Sequence, residues 1–403
     1  MAINIKLKMK AFIKINLIVA LVFFSSISFA QSKVDFIDDD YTKALEKSKE
    51  VQKQLMVMVY ADWCPHCTFM KTKVLNDPAV IETLNSNYVC VQINADKPEA
   101  KVIMDKFGVL SFPAFLFIDG NERVLYNLVG EINKEDFLVE SKKSLVPRLQ
   151  LPFLKSQFES DTLNGNKCLN YLNGLRRGID KNKTAEIASK YMSSVKEEQM
   201  VSLLNWRILA YAVTDIKSKD LPTLLKYRKE FAQVITEARL QTKLHTVVNL
   251  TLKNDVAKLD SANYSKNKEF IRNEMKVNVD SIAFKYDIQL YENLKDWVKY
   301  NAVAKKMLSK MIWNEPAKIN DIVKNYVRHI SSTADLKVAS TWMNHSLQLN
   351  NNYEANFIQA KLYQKLKNIP EAIKYARVAK KYVVEMKIDT KDIDKLYTQL
   401  AIK

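Results

Sequence analysis

Apolar and polar positions follow two different rhythms along the chain. Up to about residue 146, short apolar runs alternate with amphipathic stretches. "DDDYTKALEKSKEVQKQ" (38–54) reads as a helix opened by acidic residues, which suit its positive end. "LMVMVYA" (55–61) is a continuous apolar run bounded by polar residues, the pattern of a buried strand. "DPAVIETLNSN" reads as helix, "YVCVQINAD" (88–96) as strand, and "PEAKVIMDKFG" as a helix closed by Gly108. "AFLFID" (114–119), the turn Gly120-Asn121 and "ERVLYNLV" (122–129) make a hairpin, and "KEDFLVESKKSLV" (134–146) a last helix. Strands alternating with helices predict an α/β domain with a central sheet over 31–146.

The second rhythm is helical throughout. Beyond Gly178 the remaining 225 residues contain no glycine, while Leu, Lys, Ala and Glu abound, so 147–403 reads as an all-α domain. Within it "LYENLKDWVKYNAVAKK" (290–306) matches "LYQKLKNIPEAIKYARVAKK" (362–381) if a three-residue gap is allowed. Ala339 and Trp342 each stand 33 residues before Ala372 and Tyr375. A spacing near 34, with small residues at the helix contacts, resembles tetratricopeptide repeats over about 285–381. The resemblance implies stacked helix pairs with a concave face that binds peptide or protein; the alternative is an ordinary helical bundle.

The first thirty residues are of another kind. Lys6, Lys8, Lys10 and Lys14 precede the apolar run "INLIVALVFF", and "SSISFA" precedes Gln31. That order is a secretory signal peptide with a cleavage site after Ala30, which predicts an exported, periplasmic, soluble mature protein. An uncleaved membrane anchor is the alternative, for which the apolar run is short.

Charge divides along the same boundary. Residues 31–150 hold 15 Lys and Arg against 18 Asp and Glu, whereas 151–403 hold 43 against 27, so the basic excess behind the overall charge of +17 belongs to the helical part. Nucleic acid is not an expected partner, because the basic residues are neither interleaved with aromatics nor part of a known binding module.

Export gives meaning to the four cysteines, Cys64, Cys67, Cys90 and Cys168, because an oxidising compartment lets disulfides persist. Two of them stand in "YADWCPHCTF" (60–69), where Pro65 suits a first helical turn. Thiols separated by two residues at a helix start can close a small disulfide ring. The first also lies against unpaired N–H groups at the positive end of the helix, which stabilise a thiolate. Cys64 is then the nucleophile, and Cys67, one turn in, resolves the mixed disulfide by attacking Cys64. His66, between the thiols, can favour the Cys64 thiolate and make the disulfide more oxidising, or it is simply a solvent-facing polar residue. Zinc is the chemical rival, but it needs about four ligands, and His245, His329 and His345 are scattered. Cys90, in a predicted buried strand, and Cys168 are expected to be inert.

Trp63-Cys64-Pro65-His66-Cys67 at a strand-to-helix junction, Phe112-Pro113 ahead of a strand and Gly130 after the hairpin together resemble the thioredoxin superfamily, especially thioredoxin-like domains of exported bacterial proteins, over about 36–146. The resemblance implies that Pro113 takes the cis form beside the dithiol and that the backbone of Phe112 pairs with an extended substrate segment. It makes Trp63, Pro65 and His66 modulators of the site. The Pro-His dipeptide is also that of strongly oxidising disulfide oxidases. Two departures stand out: Met58 replaces the buried carboxylate that thioredoxin places six residues before its first cysteine, and the usual Gly-Pro dipeptide is absent.

The expectation is a thiol-disulfide oxidoreductase without cofactor beyond the Cys64–Cys67 disulfide. It would act on client proteins carrying thiols or disulfides and exchange electrons with another dithiol protein, soluble or membrane-bound. The direction, oxidation or reduction, stays open. The competing expectation is an adaptor in which the helical repeats bind protein and the thioredoxin-like domain is a scaffold.

Overall fold

A computed structural model describes residues 33–176, 181–387 and 389–401; the signal peptide expected over residues 1–30 lies outside them. The chain divides into two compact units, the first ending at Ala212 and the second beginning at Val213. Among the described residues no helix is long and apolar enough to cross a membrane.

The first unit is built on a five-stranded sheet of order β1-β3-β2-β4-β5. Its strands are β1 (Phe36–Asp38), β2 (Gln54–Tyr60), β3 (Tyr88–Asn94), β4 (Ala114–Ile118) and β5 (Val124–Val129). β3 runs parallel to both β1 and β2, and β4 runs antiparallel to β2 and β5. The run read as a continuous buried strand is the middle one, and its residues divide between the two faces. Met56 and Met58 pack with Cys90, Phe115 and Phe117 on one side, while Leu55, Val57 and Val59 pack with Val91, Leu116 and Ile118 on the other.

The helices α1 (Tyr41–Glu50), α2 (Pro65–Phe69), α3 (Pro78–Asn87), α4 (Ala100–Phe107) and α5 (Lys134–Ser144) cover both faces. Ala44 of α1 and Ala100 of α4 join the Leu55 side; Val80 of α3 and Phe137 of α5 join the Met56 side. Asp77 and Asn133 cap α3 and α5 through their side chains, and Gly108 closes α4 at φ 65°.

The acidic run expected to open the first helix does two jobs instead. Asp38 ends β1, a three-residue strand too short for its periodicity to register, and Asp40 is the N-cap that accepts a hydrogen bond from Lys43 N. A second unforeseen element is the π-helical turn Met70–Val74 that continues α2, closed by Leu75 N donating to Met70 O at 2.8 Å. The unit then adds the helices Leu151–Ser160 (α6), Gly165–Arg176 (α7), Lys181–Met192 (α8) and Leu203–Ala212 (α9).

The second unit is helical throughout: α10 (Leu221–Lys226), α11 (Arg228–Ile235), α12 (Glu237–Lys258), α13 (Ser261–Asn273), α14 (Val279–Asn293), α15 (Trp297–Met311), α16 (Pro316–His329), α17 (Thr333–Leu349), α18 (Tyr353–Lys365), α19 (Ile369–Met386) and α20 (Lys391–Ala401). A regular spacing underlies it. α13, α15, α17 and α19 begin at residues 261, 297, 333 and 369, each 36 residues after the last. Their N-caps, Asp260, Asp296, Ser332 and Asn368, each accept a hydrogen bond from the backbone N–H three residues on, at 2.9, 3.0, 3.3 and 3.3 Å. Four residues after each cap a side chain is buried, namely Tyr264, Tyr300, Leu336 and Ala372.

The period is therefore 36 residues rather than the 33 to 34 read from the sequence, and it reaches back to α12–α13. The turns 290–296 and 362–368 superpose without a gap: Leu294, Lys295 and Asp296 donate to Leu290, Glu292 and Tyr291, and Leu366, Lys367 and Asn368 to Leu362, Gln364 and Tyr363. Leu336, not Ala339, is the counterpart of Ala372. The left-handed positions before three of the caps are held by Leu259, Lys295 and Lys367, at φ 55°, 55° and 60°, where glycine is the usual choice.

Candidate active site

The dithiol sits where β2 ends and α2 begins. Cys64 is the N-cap of α2, its backbone extended at φ −88° and ψ 111°, and Pro65 occupies the first turn, where a missing N–H costs nothing. Cys64 Sγ accepts a hydrogen bond from Cys67 N at 3.3 Å and approaches the Phe112 carbonyl at 3.8 Å. The thiol is thus held between a donor at the helix start and an acceptor on the loop before β4. All four cysteines are free thiols.

Cys64 is 5% exposed and Cys67 only 1%. Burial, helped by the hydrogen bond with Cys64, pushes the Cys67 thiol up to about 12. Both thiols are thus buried, Cys67 the more deeply, and the helix-start N–H reaches Cys64 Sγ. Met58, at the position where a carboxylate was missed in the sequence, is completely buried on β2.

The Phe112–Pro113 peptide bond is cis, and the Pro113 carbonyl accepts from Gly130 N at 2.8 Å. The Phe112 ring meets Trp63 edge-on, with centroids 6.1 Å apart. Trp63 is 70% exposed, and its Nε1 donates to Asp96 Oδ1 at 2.9 Å. Asp96 in turn accepts from Asp62 N, and Asn94 Nδ2 donates to Asp62 Oδ2 at 2.8 Å, tying the loop before Cys64 to the end of β3. His66 Nδ1 lies 2.8 Å from Glu131 Oε2, with both side chains largely in solvent.

Every residue singled out in the sequence around the motif is therefore gathered here: Trp63, Cys64, Pro65, His66 and Cys67 on one side, Phe112 and Pro113 on the other. Sequence reasoning missed Asp96, which holds Trp63, and Glu131, which meets His66. The only signal for Glu131 was its place directly after Gly130. Cys90 and Cys168 lie apart from the dithiol, 2% and 0% exposed, and burial raises both thiols, Cys168 to about 12. Among the described residues no group of three or more His, Cys, Asp and Glu gathers that could hold a metal.

The family described as "Thioredoxin-like domain" matches residues 41–143. Thioredoxin H4 of Arabidopsis thaliana is 35% identical over 99 residues, 25% of this chain and 77% of its own length. Thiol:disulfide interchange protein DsbD of Pseudomonas fluorescens is 28% identical over 98 residues, 24% of this chain, and the chain spans only 17% of that relative's length. Among solved structures, a thioredoxin from Thermus thermophilus matches with a TM-score of 0.27 at 27% identity, covering 28% of this chain and 89% of its own. Through the domain that carries Cys64 and Cys67, the chain belongs to the thioredoxin-like family.

Proposed function

We propose that the protein is an exported thiol-disulfide oxidoreductase that exchanges disulfides with client proteins through Cys64 and Cys67. One observation carries the reading: Cys64 Sγ at a helix start receives the Cys67 N–H, while Cys67 lies buried beneath it. In the exchange the Cys64 thiolate attacks a client disulfide, one client sulfur leaves as a thiolate, and a mixed disulfide forms. Cys67, once deprotonated, attacks Cys64 Sγ and releases the second client thiolate, leaving Cys64–Cys67 oxidised. The reverse sequence oxidises a client dithiol.

The loop at Phe112 supports a client-binding role, because its carbonyl already faces Cys64 Sγ and an extended segment can add to such an edge through main-chain hydrogen bonds. The evenly spaced helix pairs support recruitment of protein clients by the second unit, in the manner of tetratricopeptide repeats. The lysine-rich leader supports an exported, periplasmic address, and another dithiol protein would supply or accept the electrons.

The test is equilibration of the mature chain with glutathione buffers. A potential near about −120 mV makes it an oxidant, and one near about −270 mV a reductant. Failure to form the Cys64–Cys67 disulfide in any buffer refutes the reading. A Cys64→Ser variant that retains the protein's effect on its clients unchanged points instead to an adaptor built on the helical unit.

A further inference from the structure

Lys71 is the feature of the first unit that the scheme above leaves unused. It lies one helical turn beyond Cys67, so the two side chains share a face of the segment that starts at Pro65. It is half-buried, its Nζ stands 2.9 Å above the centre of the Tyr60 ring, and among the described residues it makes no ion pair. A cation stacked on an aromatic face keeps its charge available to other groups in a way that a lysine closed on a carboxylate does not.

The charges around it come from several elements. Burial is the largest influence and holds the Lys71 ammonium below the ordinary lysine range; Asp62 after β2, and Asp38 and Asp39 at the end of β1, oppose it and favour the charged form. Each is already engaged elsewhere: Asp38 with Gln92 at 2.5 Å, Asp39 with Lys97 at 2.5 Å, and Asp62 with Asn94 at 2.8 Å. Lys71 also borders an open cavity of about 520 Å³, edged by Lys33, Asp35 and Lys47 as well. Tyr60, whose ring carries the Lys71 ammonium, packs against Cys64 and Cys67, and Lys71 and Cys67 each favour the charged form of the other.

We propose that the Lys71 ammonium is the counter-charge of the Cys67 thiolate and speeds the step in which Cys67 resolves the mixed disulfide on Cys64. The inference rests on the oxidoreductase reading and assigns a positioning role, since Lys71 touches neither client nor the bond being exchanged. With Met58 completely buried on the strand beneath, no carboxylate stands at that position to take the Cys67 proton. The ammonium lowers the cost of the thiolate instead, and the proton passes to solvent. The thiolate then attacks Cys64 Sγ; the Cys64–Cys67 bond forms, the bond from Cys64 to the client breaks, and the client sulfur leaves with the electron pair.

The experiment is stopped-flow reaction of the reduced mature chain with 5,5′-dithiobis(2-nitrobenzoate) between pH 6 and 10. Attack by Cys64 releases the first thionitrobenzoate, and attack by Cys67 on Cys64 releases the second. Lys71→Met is expected to slow the second release about tenfold at neutral pH, equivalent to about one unit on its pH profile. It should leave the first release unchanged. Lys71→Arg, which keeps the charge, should restore the second rate to within about threefold. A second release that Lys71→Met leaves unchanged, or that Lys71→Arg slows as much as Lys71→Met, overturns the proposal. If the unsubstituted chain never gives a second release, the dithiol reading itself falls, an outcome distinct from a failure of Lys71 alone.

Discussion

Cys67 should resist alkylation strongly, and the size of the effect follows from its surroundings. Burial and the Cys64 hydrogen bond move its thiol from an ordinary 9.0 to about 12. Three units leave roughly a thousandfold less thiolate at neutral pH. A thiolate of higher pKa is intrinsically more nucleophilic, with a Brønsted slope of about 0.4–0.5, which returns a factor of roughly 15–30. The net expectation is about 30- to 60-fold slower alkylation than for a cysteine in a peptide, before any steric shielding. Modifying Cys64 first removes its hydrogen bond and its charge, but burial is the largest cause and remains, so Cys67 should stay slower than a peptide cysteine.

The assay is mass spectrometry of the reduced chain treated with iodoacetamide at a series of pH values. Cys64 should be modified first, and the log of the Cys67 rate should rise with pH without levelling off below about pH 10. Equal rates at the two thiols, or a plateau below pH 9, would refute the account of Cys67 as a thiol held up by burial and by its hydrogen bond with Cys64.

Two further expectations concern the frame around the site. Asp296→Ala removes the cap of α15 and should cost about 1 kcal/mol, within roughly 0.5–2, read as a shift of the urea midpoint followed by circular dichroism. Gly165→Ala should destabilise the first unit by about 1–3 kcal/mol in thermal unfolding, because an added Cβ would meet Tyr191 Oη at 2.5 Å and Leu204 Cδ2 at 2.8 Å. Survival of Gly165→Ala at full stability would mean that Tyr191 can move without losing its hydrogen bond to Asn205.

Most strands and helices of the first domain were legible because they carried a local signal. Continuous apolar runs marked β2 and β3, Asp77 and Gly108 marked helix ends, and the CPHC spacing placed two thiols on one turn. β1 escaped because three residues have no measurable period, and the π turn because nothing in "MKTKV" distinguishes it from α-helix. Asp96 and Glu131 escaped for a different reason: they reach the motif from the loops after β3 and β5, and such meetings are decided by topology rather than spacing. In the helical unit the absence of glycine foretold helices, yet the left-handed turns are present all the same, taken by Leu259, Lys295 and Lys367. Caps of three different residue types, Asp, Ser and Asn, hid the 36-residue period from a search for identical letters.

That period carries a consequence for how the second unit comes apart. Packing between α12 and α19 runs chiefly from each helix to its next one or two neighbours, so most contacts are local in sequence and stability accumulates from one pair to the next. Such an array need not melt all at once. α20 packs on α18 and α19 at one end of the series, and amide hydrogens there should exchange sooner than those of α14 to α17, which have neighbours on both sides. A hydrogen-exchange profile graded along the sequence, rather than one shared protection level, is the signature this architecture should leave.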